Sequence, residues 1–462
     1  VSQPATPQSA ESTSSAAGSA GRQAGAVRGR APIVAIVGRA NVGKSSLFNA
    51  ILGRREAITE AEPGTTRDSL TAKASWNGND YWLVDTAGLK SAEDDFELTI
   101  QEQITEAAAA ADTIIVVVEA DVPVTEEDRR VATMALKSRK PVVLCINKID
   151  KNLRAKVGDW QKLGIKTIIT TSTTQKTGLE DLLDKVMADL PPAKIKQSED
   201  VIKVSLLGRP NVGKSSLFNA LAKKQQALVS ERAGTTRDVN RAFIRYQQKE
   251  VQLLDTAGIR RSGKIQRGVE KFSVLRALSA IEESDICLVL MDVNELNVQL
   301  DQKIAGLVKE AGKGLILVVS KWDSADKDAY THDKLSPQIA ANFVFVPWAP
   351  LIFTSAVTGQ NITKIYDLVL EINDNRQARF KTTELNQWLR KAVSEHPPAG
   401  LKSREPKLNY IVQEENEFPS FKVFGAHTKF LHWSYKRYLE RKFRERWPLA
   451  GTPLKFWFIE KH

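Results

Sequence analysis

The sequence predicts an α/β protein with two tandem domains, each a mostly parallel sheet flanked by helices, followed by a small α+β domain. Short apolar runs alternate with helical stretches across residues 31–192 and again across 201–376, which is the pattern of a parallel α/β sheet. One glycine-rich motif occurs once in each region, and the alternation stops near residue 377. A chain of 462 residues is also too long for one core, and we expect about three domains.

The glycine-rich motif has the spacing of a phosphate-binding loop: a glycine, four residues, then glycine, lysine and serine. It stands at residues 38–45 and 208–215, each time between a strand-like apolar run and a segment with helical spacing. Such a loop turns its backbone N–H groups and the following helix N-terminus toward one anion. The predicted phosphate-site residues are Gly38, Asn41, Val42, Gly43, Lys44, Ser45 and Ser46, and Gly208, Asn211, Val212, Gly213, Lys214, Ser215 and Ser216.

The two regions are copies of one unit. Lys44, Thr66 and Asp85 each have an identical residue 170 positions later, and the offset grows to 173 and then 183 further along the chain. Agreement of this kind indicates a tandem duplication in which each copy carries its own site.

A Gly-Thr-Thr-Arg-Asp segment follows each phosphate loop, at residues 64–68 and 234–238. A threonine on such a loop can complete a Mg²⁺ shell only when a γ-phosphate is present to hold it, which makes the loop a switch. We predict that the second threonine of each segment, Thr66 or Thr236, is the ligand, in preference to the threonine before it.

An Asp-Thr-Ala-Gly segment ends the next apolar strand in both units. The aspartate can hold a metal through water while the glycine N–H contacts the γ-phosphate, and the loop lysine reaches the β- and γ-phosphates. The predicted catalytic residues are Lys44, Thr66, Asp85, Gly88, Lys214, Thr236, Asp255 and Gly258, and the predicted Mg²⁺ ligands are Ser45, Thr66, Asp85, Ser215, Thr236 and Asp255.

A base-recognition segment, Asn147-Lys148-Ile149-Asp150, follows the apolar run at residues 142–146. Guanine presents an N1–H and a 2-amino group side by side, so the Asp150 carboxylate can accept both, whereas adenine lacks that pair of donors. In this order of motifs the chain resembles the guanine-nucleotide-binding proteins related to translation factors, which implies GTP and GDP as ligands.

The resemblance narrows because two such domains are followed by a basic α+β domain. That domain begins near Thr383-Glu384-Leu385-Asn386 and closes with Gly451-Thr452-Pro453-Leu454. The chain from about residue 31 to its end resembles the Der (also called EngA) family of ribosome-assembly GTPases. The resemblance implies two P-loop GTPase domains, a KH-like C-terminal domain, action in maturation of the large ribosomal subunit, and GTP hydrolysis stimulated by K⁺.

The resemblance also implies roles for particular residues. Asn41 and Asn211 match the positions associated with K⁺ in relatives, although asparagines there could simply stabilise the loop turn. The second unit reads Ser320-Lys321-Trp322-Asp323, so Asp323 keeps the guanine contact while Ser320 loses the amide that braces neighbouring loops. We expect weaker guanine affinity or altered cycling there. The base-covering residues are Ser172 and Ser355.

Two further departures affect mechanism. Leu89 and Ile259 follow the Asp-Thr-Ala-Gly segments where Ras-type enzymes carry a glutamine that orients water. Catalysis is therefore expected to rest on electrostatic stabilisation of the transition state, giving slow turnover that K⁺ or a ribosomal particle accelerates. The C-terminal domain also lacks the Gly-x-x-Gly loop with which KH domains clamp RNA.

The motifs leave two functions open. The first is a GTP-hydrolysing switch in assembly of the large subunit, and the alternative is a nucleotide-gated ribosome- or RNA-binding scaffold with little intrinsic hydrolysis. A small-molecule kinase is disfavoured because the base-recognition segment selects guanine and no acceptor site accompanies it.

Charge and composition indicate the partners. The net charge is +11, and residues 377–462 hold 17 Lys and Arg against nine Asp and Glu, which favours an anionic partner such as the rRNA of a large-subunit precursor and its ribosomal proteins. No apolar run approaches the roughly 18 residues of a membrane span, so we expect a soluble protein without a membrane partner. We also expect a monomer. Cys145 and Cys287 lie in apolar runs and are expected to be buried, reduced thiols.

The predicted boundaries are a disordered Ser/Ala/Gly-rich tail at 1–30, a first GTPase domain at 31–192, a linker at 193–200, a second GTPase domain at 201–376 and the KH-like domain at 377–462. The tail composition indicates disorder, with a targeting segment as the alternative. We expect the protein to lie in a bacterial cytoplasm, or in a chloroplast stroma if the tail is a targeting remnant. In the last domain we predict helices at 382–394 and 435–447 and strands at 407–412, 418–424 and 452–459, with the aromatic side chains forming a core.

Overall fold

A computed structural model describes most of the chain. It covers residues 30–53, 71–86, 100–151, 157–190, 201–223, 241–255, 274–296, 298–325, 331–398 and 405–460. The predicted tail up to residue 29 and the predicted linker lie outside these ranges.

The first unit is a six-stranded sheet with helices on both faces. Its elements are β1 (Ile33–Val37), α1 (Lys44–Leu52), β2 (Thr71–Trp76), β3 (Asn79–Asp85), α2 (Ile100–Ala110), β4 (Thr113–Glu119), α3 (Glu126–Lys137), β5 (Val142–Asn147), α4 (Gly158–Gln161), β6 (Thr167–Thr170) and α5 (Leu179–Asp189). The strand order is β2-β3-β1-β4-β5-β6, and only the β2–β3 pair is antiparallel. Every residue of β1 is buried, as expected for a central parallel strand covered on both faces.

The second unit repeats this topology. Its elements are β7 (Val201–Leu207), α6 (Lys214–Lys223), β8 (Arg241–Tyr246), β9 (Lys249–Asp255), α7 (Val274–Glu283), β10 (Ile286–Asp292), α8 (Gln299–Ala311), β11 (Gly314–Ser320), α9 (Thr331–Asn342), β12 (Leu351–Phe353) and α10 (Ile362–Arg376). The order β8-β9-β7-β10-β11-β12 matches the first sheet strand for strand. This confirms the predicted α/β architecture and places both phosphate loops at the carboxyl ends of central strands, where ligands bind in open α/β sheets.

The C-terminal unit is a small α+β domain. It contains α11 (Thr382–Glu395), β13 (Lys407–Glu414), β14 (Ser420–Ala426), α12 (Trp433–Arg446) and β15 (Lys455–Glu460). Strand β14 is central, antiparallel to β13 and parallel to β15. The predicted elements are all present, with ends shifted by up to three residues. Phe421 and Phe443 are fully buried among the other aromatic rings, so most of the aromatic residues form a core, as predicted.

The two sheet units pack through α2 and α7. Ile104 of α2 and Leu278 of α7 belong to one continuous cluster of buried side chains. The indole N–H of Trp82 donates to Glu282 across the interface at 2.6 Å, and the backbone N–H of Ala31 donates to the same carboxylate at 3.0 Å. Each helix follows the Asp-Thr-Ala-Gly segment of its own unit in the chain, so the interface joins equivalent parts of both.

The C-terminal unit contacts the second sheet at the end opposite to the phosphate loop. The Leu315 N–H at the start of β11 donates to Gly451 O at 2.9 Å, and the Gly451 N–H donates to Trp348 O at 2.7 Å. The Asn375 side-chain amide, at the end of α10, donates to Ala450 O at 3.0 Å. None of the described helices is long and apolar enough to cross a membrane.

Candidate nucleotide sites

Both phosphate loops adopt the same backbone conformation. Asn41 and Asn211 have φ of 65° and 61°, and Gly43 and Gly213 have φ of 95° and 93°. These left-handed residues turn the chain back on itself, and the second of them directly precedes α1 or α6. The loops therefore wrap the N-terminus of a helix, as the motif predicts.

The loop lysines are buried against backbone carbonyls. Lys44 Nζ donates to Gly38 O at 2.8 Å and Arg39 O at 2.6 Å, and Lys214 Nζ makes the same pair of bonds to Gly208 O and Arg209 O at 3.0 and 2.5 Å. Each ammonium group thus lies inside its loop, where it can meet a phosphate.

The residues predicted to hold Mg²⁺ lie together in both units. Ser45 Oγ donates to Asp85 Oδ2 at 2.5 Å, and Ser215 Oγ donates to Asp255 Oδ2 at 3.5 Å. Asp85 is fully buried at the end of β3, whereas Asp255 is half-buried. A hydroxyl and a carboxylate side by side are oxygen ligands suited to Mg²⁺, which also keeps waters and substrate phosphates in its shell.

The base-recognition segment of the first unit is braced on both sides. Asn147 Nδ2 donates to Val42 O in the phosphate loop at 3.1 Å, and Thr171 Oγ1 donates to Asn147 Oδ1 at 3.3 Å. Asp150 Oδ1 is buried and has no hydrogen-bond partner among the described residues. An unpartnered buried carboxylate oxygen is the acceptor that the guanine N1–H requires, so the residues present fit a guanine nucleotide.

The second unit uses Ser320 in place of the asparagine. Ser320 lacks the amide but keeps one of the two bracing bonds, because its Oγ donates to Val212 O at 2.6 Å, where the Asn147 amide donates to Val42 O in the first unit. Its single hydroxyl hydrogen cannot also serve Met291 O, which lies 3.0 Å away. Asp323 is exposed, and its Oδ1 accepts from Ser355 Oγ at 2.5 Å.

The base-covering serines occupy equivalent positions. Ser172 Oγ accepts from the Gln175 N–H at 3.1 Å, and Ser355 Oγ accepts from the Thr358 N–H at 3.0 Å. Both serines are fully buried. Each hydroxyl therefore shapes the turn that follows its strand.

Several predicted residues lie outside the described ranges. They are Thr66, Gly88, Thr236 and Gly258, together with Leu89 and Ile259. The described residues contain no group of three or more His, Cys, Asp or Glu that could hold a metal on its own. Ser46 and Ser216 are exposed on the first turns of α1 and α6.

Sequence reasoning missed one acidic residue beside each base-recognition segment, Glu119 in the first unit and Asp292 in the second. Lys148 Nζ donates to Glu119 Oε1 at 2.6 Å and to Asn41 O at 2.9 Å, and Lys321 Nζ donates to Asp292 Oδ2 at 2.6 Å. Glu119 and Asp292 end β4 and β10. The signal was available, since an acid ends the corresponding strand in both copies at the 173-residue offset.

Family models match all three units. A model of 50S ribosome-binding GTPases matches residues 33–148 and 203–321. A model of the KH-domain-like C-terminal region of EngA bacterial GTPase enzymes matches residues 379–458. Together they cover the phosphate loops, the base-recognition segments and the C-terminal sheet.

Similar proteins extend over nearly the whole chain. The chain is 44% identical over 433 residues to the GTPase Der of Chloroflexus aggregans, covering 92% of this chain and 96% of the relative. It is 42% identical over 427 residues to the GTPase Der of Geobacillus thermodenitrificans, covering 92% and 98%. The solved G domain of the T. maritima FeoB iron transporter is 26% identical to this chain, and the match covers 34% of this chain and 97% of that domain with a TM-score of 0.26.

Proposed function

The chain belongs to the GTPase Der family, and on that premise we propose that it is a GTP-hydrolysing switch acting in maturation of the large ribosomal subunit. The observation that carries this proposal is the pairing, in each of two units, of a phosphate loop with a guanine-selecting aspartate. A nucleotide-gated scaffold with little hydrolysis is the alternative that the experiment below decides.

The residues assigned to the nucleotide have defined tasks. The phosphate loop and Lys44 would hold the β- and γ-phosphates, Asp150 would accept from guanine, and Ser45 with Asp85 would hold Mg²⁺, which neutralises phosphate charge when bound. The second unit supplies Lys214, Asp323, Ser215 and Asp255 for the same tasks. Thr66 and Thr236 remain our proposal for the switch ligands, and Gly88 and Gly258 for the γ-phosphate contacts.

Hydrolysis would depend on electrostatic stabilisation rather than on a side-chain base. Leu89 and Ile259 cannot orient a water molecule. The buried ammonium groups of Lys44 and Lys214 lie at the start of a helix, where the helix dipole also favours developing negative charge. We propose that K⁺ adds to this stabilisation beside Asn41 and Asn211, and that unassisted turnover is slow.

The partner is proposed from charge and family together. The C-terminal unit carries the largest excess of Lys and Arg, and 50S ribosome-binding GTPases are the family that both sheet units match. We propose that rRNA and proteins of a large-subunit precursor bind a monomer of this protein. The named relatives are bacterial, so we propose the bacterial cytoplasm as the location of this protein. We also propose that its two GTPase domains span residues 31–192 and 201–376 and its KH-like domain residues 377–462.

The experiment that tests the function is GTP turnover by the full chain with Mg²⁺, in matched KCl and NaCl. The wild-type protein is compared with Lys44→Ala and Lys214→Ala. We expect hydrolysis stimulated by K⁺, with part of the turnover lost in each variant. Equal turnover in both salts would overturn the K⁺ proposal alone.

A second arm separates the enzyme from the scaffold. Tight GTP binding without turnover in either salt, persisting after a large-subunit precursor is added, would overturn the switch and favour the scaffold. Binding to that precursor should weaken steeply as salt rises, because phosphate contacts release counterions. Binding that is insensitive to salt would refute the rRNA contact.

A further inference from the structure

The arginine inside the second phosphate loop is held by a buried ion pair. Arg209 Nε donates to both carboxylate oxygens of Asp301, at 3.1 and 3.2 Å. Its other nitrogens donate to Glu295 Oε2 at 2.7 Å and Glu295 O at 2.9 Å. The Asp301 side chain is 1% exposed and that of Arg209 10%. Arg209 is thereby fixed to the start of α8.

The backbone of the same residue holds the catalytic lysine. Arg209 O accepts from Lys214 Nζ at 2.5 Å. Movement of the Arg209 side chain would therefore carry its carbonyl, and with it the position of the ammonium group. We infer that an effect of Asp301 on the nucleotide passes through the backbone of Arg209.

The first unit has the matching arginine and aspartate, but Arg39 is held more loosely than Arg209. Arg39 lies 3.4 Å from Asp128 and 3.5 Å from Glu119, and its buried Nε has no hydrogen-bond partner among the described residues. Thr125 occupies one oxygen of that carboxylate, Asp128 Oδ2, to which its N–H and hydroxyl donate at 3.0 and 2.8 Å in a capping box. Arg39 is left with Oδ1.

Two substitutions account for the difference, and the first is Glu295 at the position that Val122 holds in the first unit. The second is Val298, which takes the position of Thr125 and makes no side-chain cap at α8. Valine offers no hydroxyl, so both oxygens of Asp301 are available to Arg209. Without that side-chain cap, the Asp301 carboxylate bonds Arg209 through both of its oxygens.

We propose that Arg209 and Asp301 are a positioning pair for the second nucleotide site, holding its phosphate loop in the conformation that receives the phosphates. The inference rests on the proposed function, since it requires a nucleotide at that loop. The pair makes the second site more preorganised than the first, where Arg39 is only loosely held. Preorganisation of this kind raises affinity by lowering the entropy lost on binding.

The test measures GDP affinity in the full chain with one site disabled. In the Lys44→Ala background the measured GDP binding comes from the second site. There we expect Asp301→Asn to weaken GDP binding about tenfold, within the range found for residues of one hydrogen-bond network. The matched control, Asp128→Asn in the Lys214→Ala background, should change affinity by less than about threefold. Equal losses at the two sites, or a loss under twofold for Asp301→Asn, would overturn the proposal.

A double-mutant cycle distinguishes a positioning pair from general damage to the fold. Arg209→Gln and Asp301→Asn should each weaken GDP binding, and the double variant should be no weaker than the worse single variant. Fully additive losses would show that the two residues act separately. Val298→Thr gives a milder form of the test, because a capping threonine should draw Asp301 away from Arg209 and reproduce part of the loss.

The pH dependence of the unmodified second site provides a readout that needs no change at the pair. Burial raises the pKa of Asp301 to about 6 despite the nearby Arg209 and Lys214, with Glu295 contributing in the same direction as burial. If the ionised carboxylate holds the loop, nucleotide binding must lower this pKa, and affinity must rise from pH 5.5 to 7.5. If Asp301 only senses the charge of the phosphates, binding raises the pKa and affinity falls over the same interval.

GDP itself titrates in the same way at both sites. The ratio of the GDP affinity of the second site to that of the first therefore removes this contribution and leaves the effect of Asp301. The ratio should become independent of pH in Asp301→Asn. Absence of any GDP binding in the Lys44→Ala protein would refute the proposed function of the second site and this inference with it. Binding whose affinity and pH profile are unchanged by Asp301→Asn would refute the inference alone.

Discussion

The two nucleotide-binding units share a fold but are braced differently. In the first, Glu119 accepts from Lys148 and also lies 3.5 Å from Arg39, so one carboxylate serves the base-recognition segment and the phosphate loop. In the second, Asp292 holds Lys321 while Arg209 turns to other acids. Aspartate is one methylene shorter than glutamate, so in the second unit the lysine of the base-recognition segment and the arginine of the phosphate loop are held by different acids.

The comparison shows that two copies of one site can differ in their supports while the phosphate-loop lysines and the loop backbone stay the same. Lys44 and Lys214 make matching bonds, and the loops have matching backbone angles. The differences lie one layer further out. The two sites should therefore respond differently to the same change.

The largest expected effect is the protection of the two buried cysteines from alkylation, which shows whether the cores of the two units exclude the reagent equally. Cys145 and Cys287 are fully buried, and burial raises the pKa of each thiol to about 12. The reactive thiolate should therefore be about a thousandfold scarcer than in an ordinary thiol. Alkylation of the native protein, followed by mass spectrometry of the peptide around each cysteine, should show both protected until unfolding. Rapid labelling of one cysteine alone would show that its unit opens locally.

The next largest effect concerns the glycine before each phosphate-loop lysine. A Cβ at Gly43 would lie 2.4 Å from the Asn147 amide nitrogen, whereas at Gly213 the nearest atom, Ser320 Oγ, would lie 3.8 Å away. Both positions have left-handed φ, so alanine costs about 1–2 kcal/mol of strain at either. Gly43→Ala also displaces the asparagine, which should bring its loss of GDP affinity to about a hundredfold, against about tenfold for Gly213→Ala.

The control for the glycine prediction combines two changes. Gly43→Ala with Asn147→Ser should recover affinity toward the level of Gly213→Ala, because the shorter side chain vacates the space that the methyl group enters. GDP affinity is measured in the Lys214→Ala background for the first site. Equal losses for the two single glycine variants would show that backbone strain alone governs both positions.

The fold could be predicted from the sequence almost completely, because apolar periodicity and the repeated phosphate loop determine an α/β sheet with its sites at one edge. Asp85 and Asp255 were placed correctly at strand ends for the same reason. The brace by Ser320 was missed because its reach depends on how closely β11 approaches the phosphate loop, and this distance is set by tertiary packing rather than by residue spacing.

Contacts between units were equally beyond sequence reasoning. In the sequence, Glu282 is one of many acids and lies in an amphipathic helix. No neighbouring residue indicates that its carboxylate accepts a hydrogen bond from Trp82 of the other unit. The Arg209–Asp301 pair spans 92 positions, and its strength depends on an absent threonine at Val298. Such a difference becomes visible only when the two copies are compared in three dimensions.

A smaller effect is expected from removing the first site's asparagine. In Asn147→Ser the hydroxyl can keep the bond to Val42 O, as Ser320 does to Val212 O. The bond from Thr171 Oγ1 is lost, and a net loss of about 1 kcal/mol should weaken GDP binding about fivefold in the Lys214→Ala background. A loss above about fiftyfold would show that the amide has a task that serine cannot perform.

The smallest effect is expected from the reciprocal change, Ser320→Asn in the Lys44→Ala background. The space beside Gly213 admits the longer side chain, but the present hydroxyl already bonds the phosphate loop. The new amide oxygen would need Thr354 as a donor, and Thr354 Oγ1 now donates to Val319 O at 3.3 Å. Exchanging one neutral hydrogen bond for another is nearly neutral in free energy, so GDP affinity should tighten by no more than about threefold. An unchanged affinity would remove Ser320 as a cause of weaker guanine binding at the second site, and a gain of tenfold or more would show that the serine limits it.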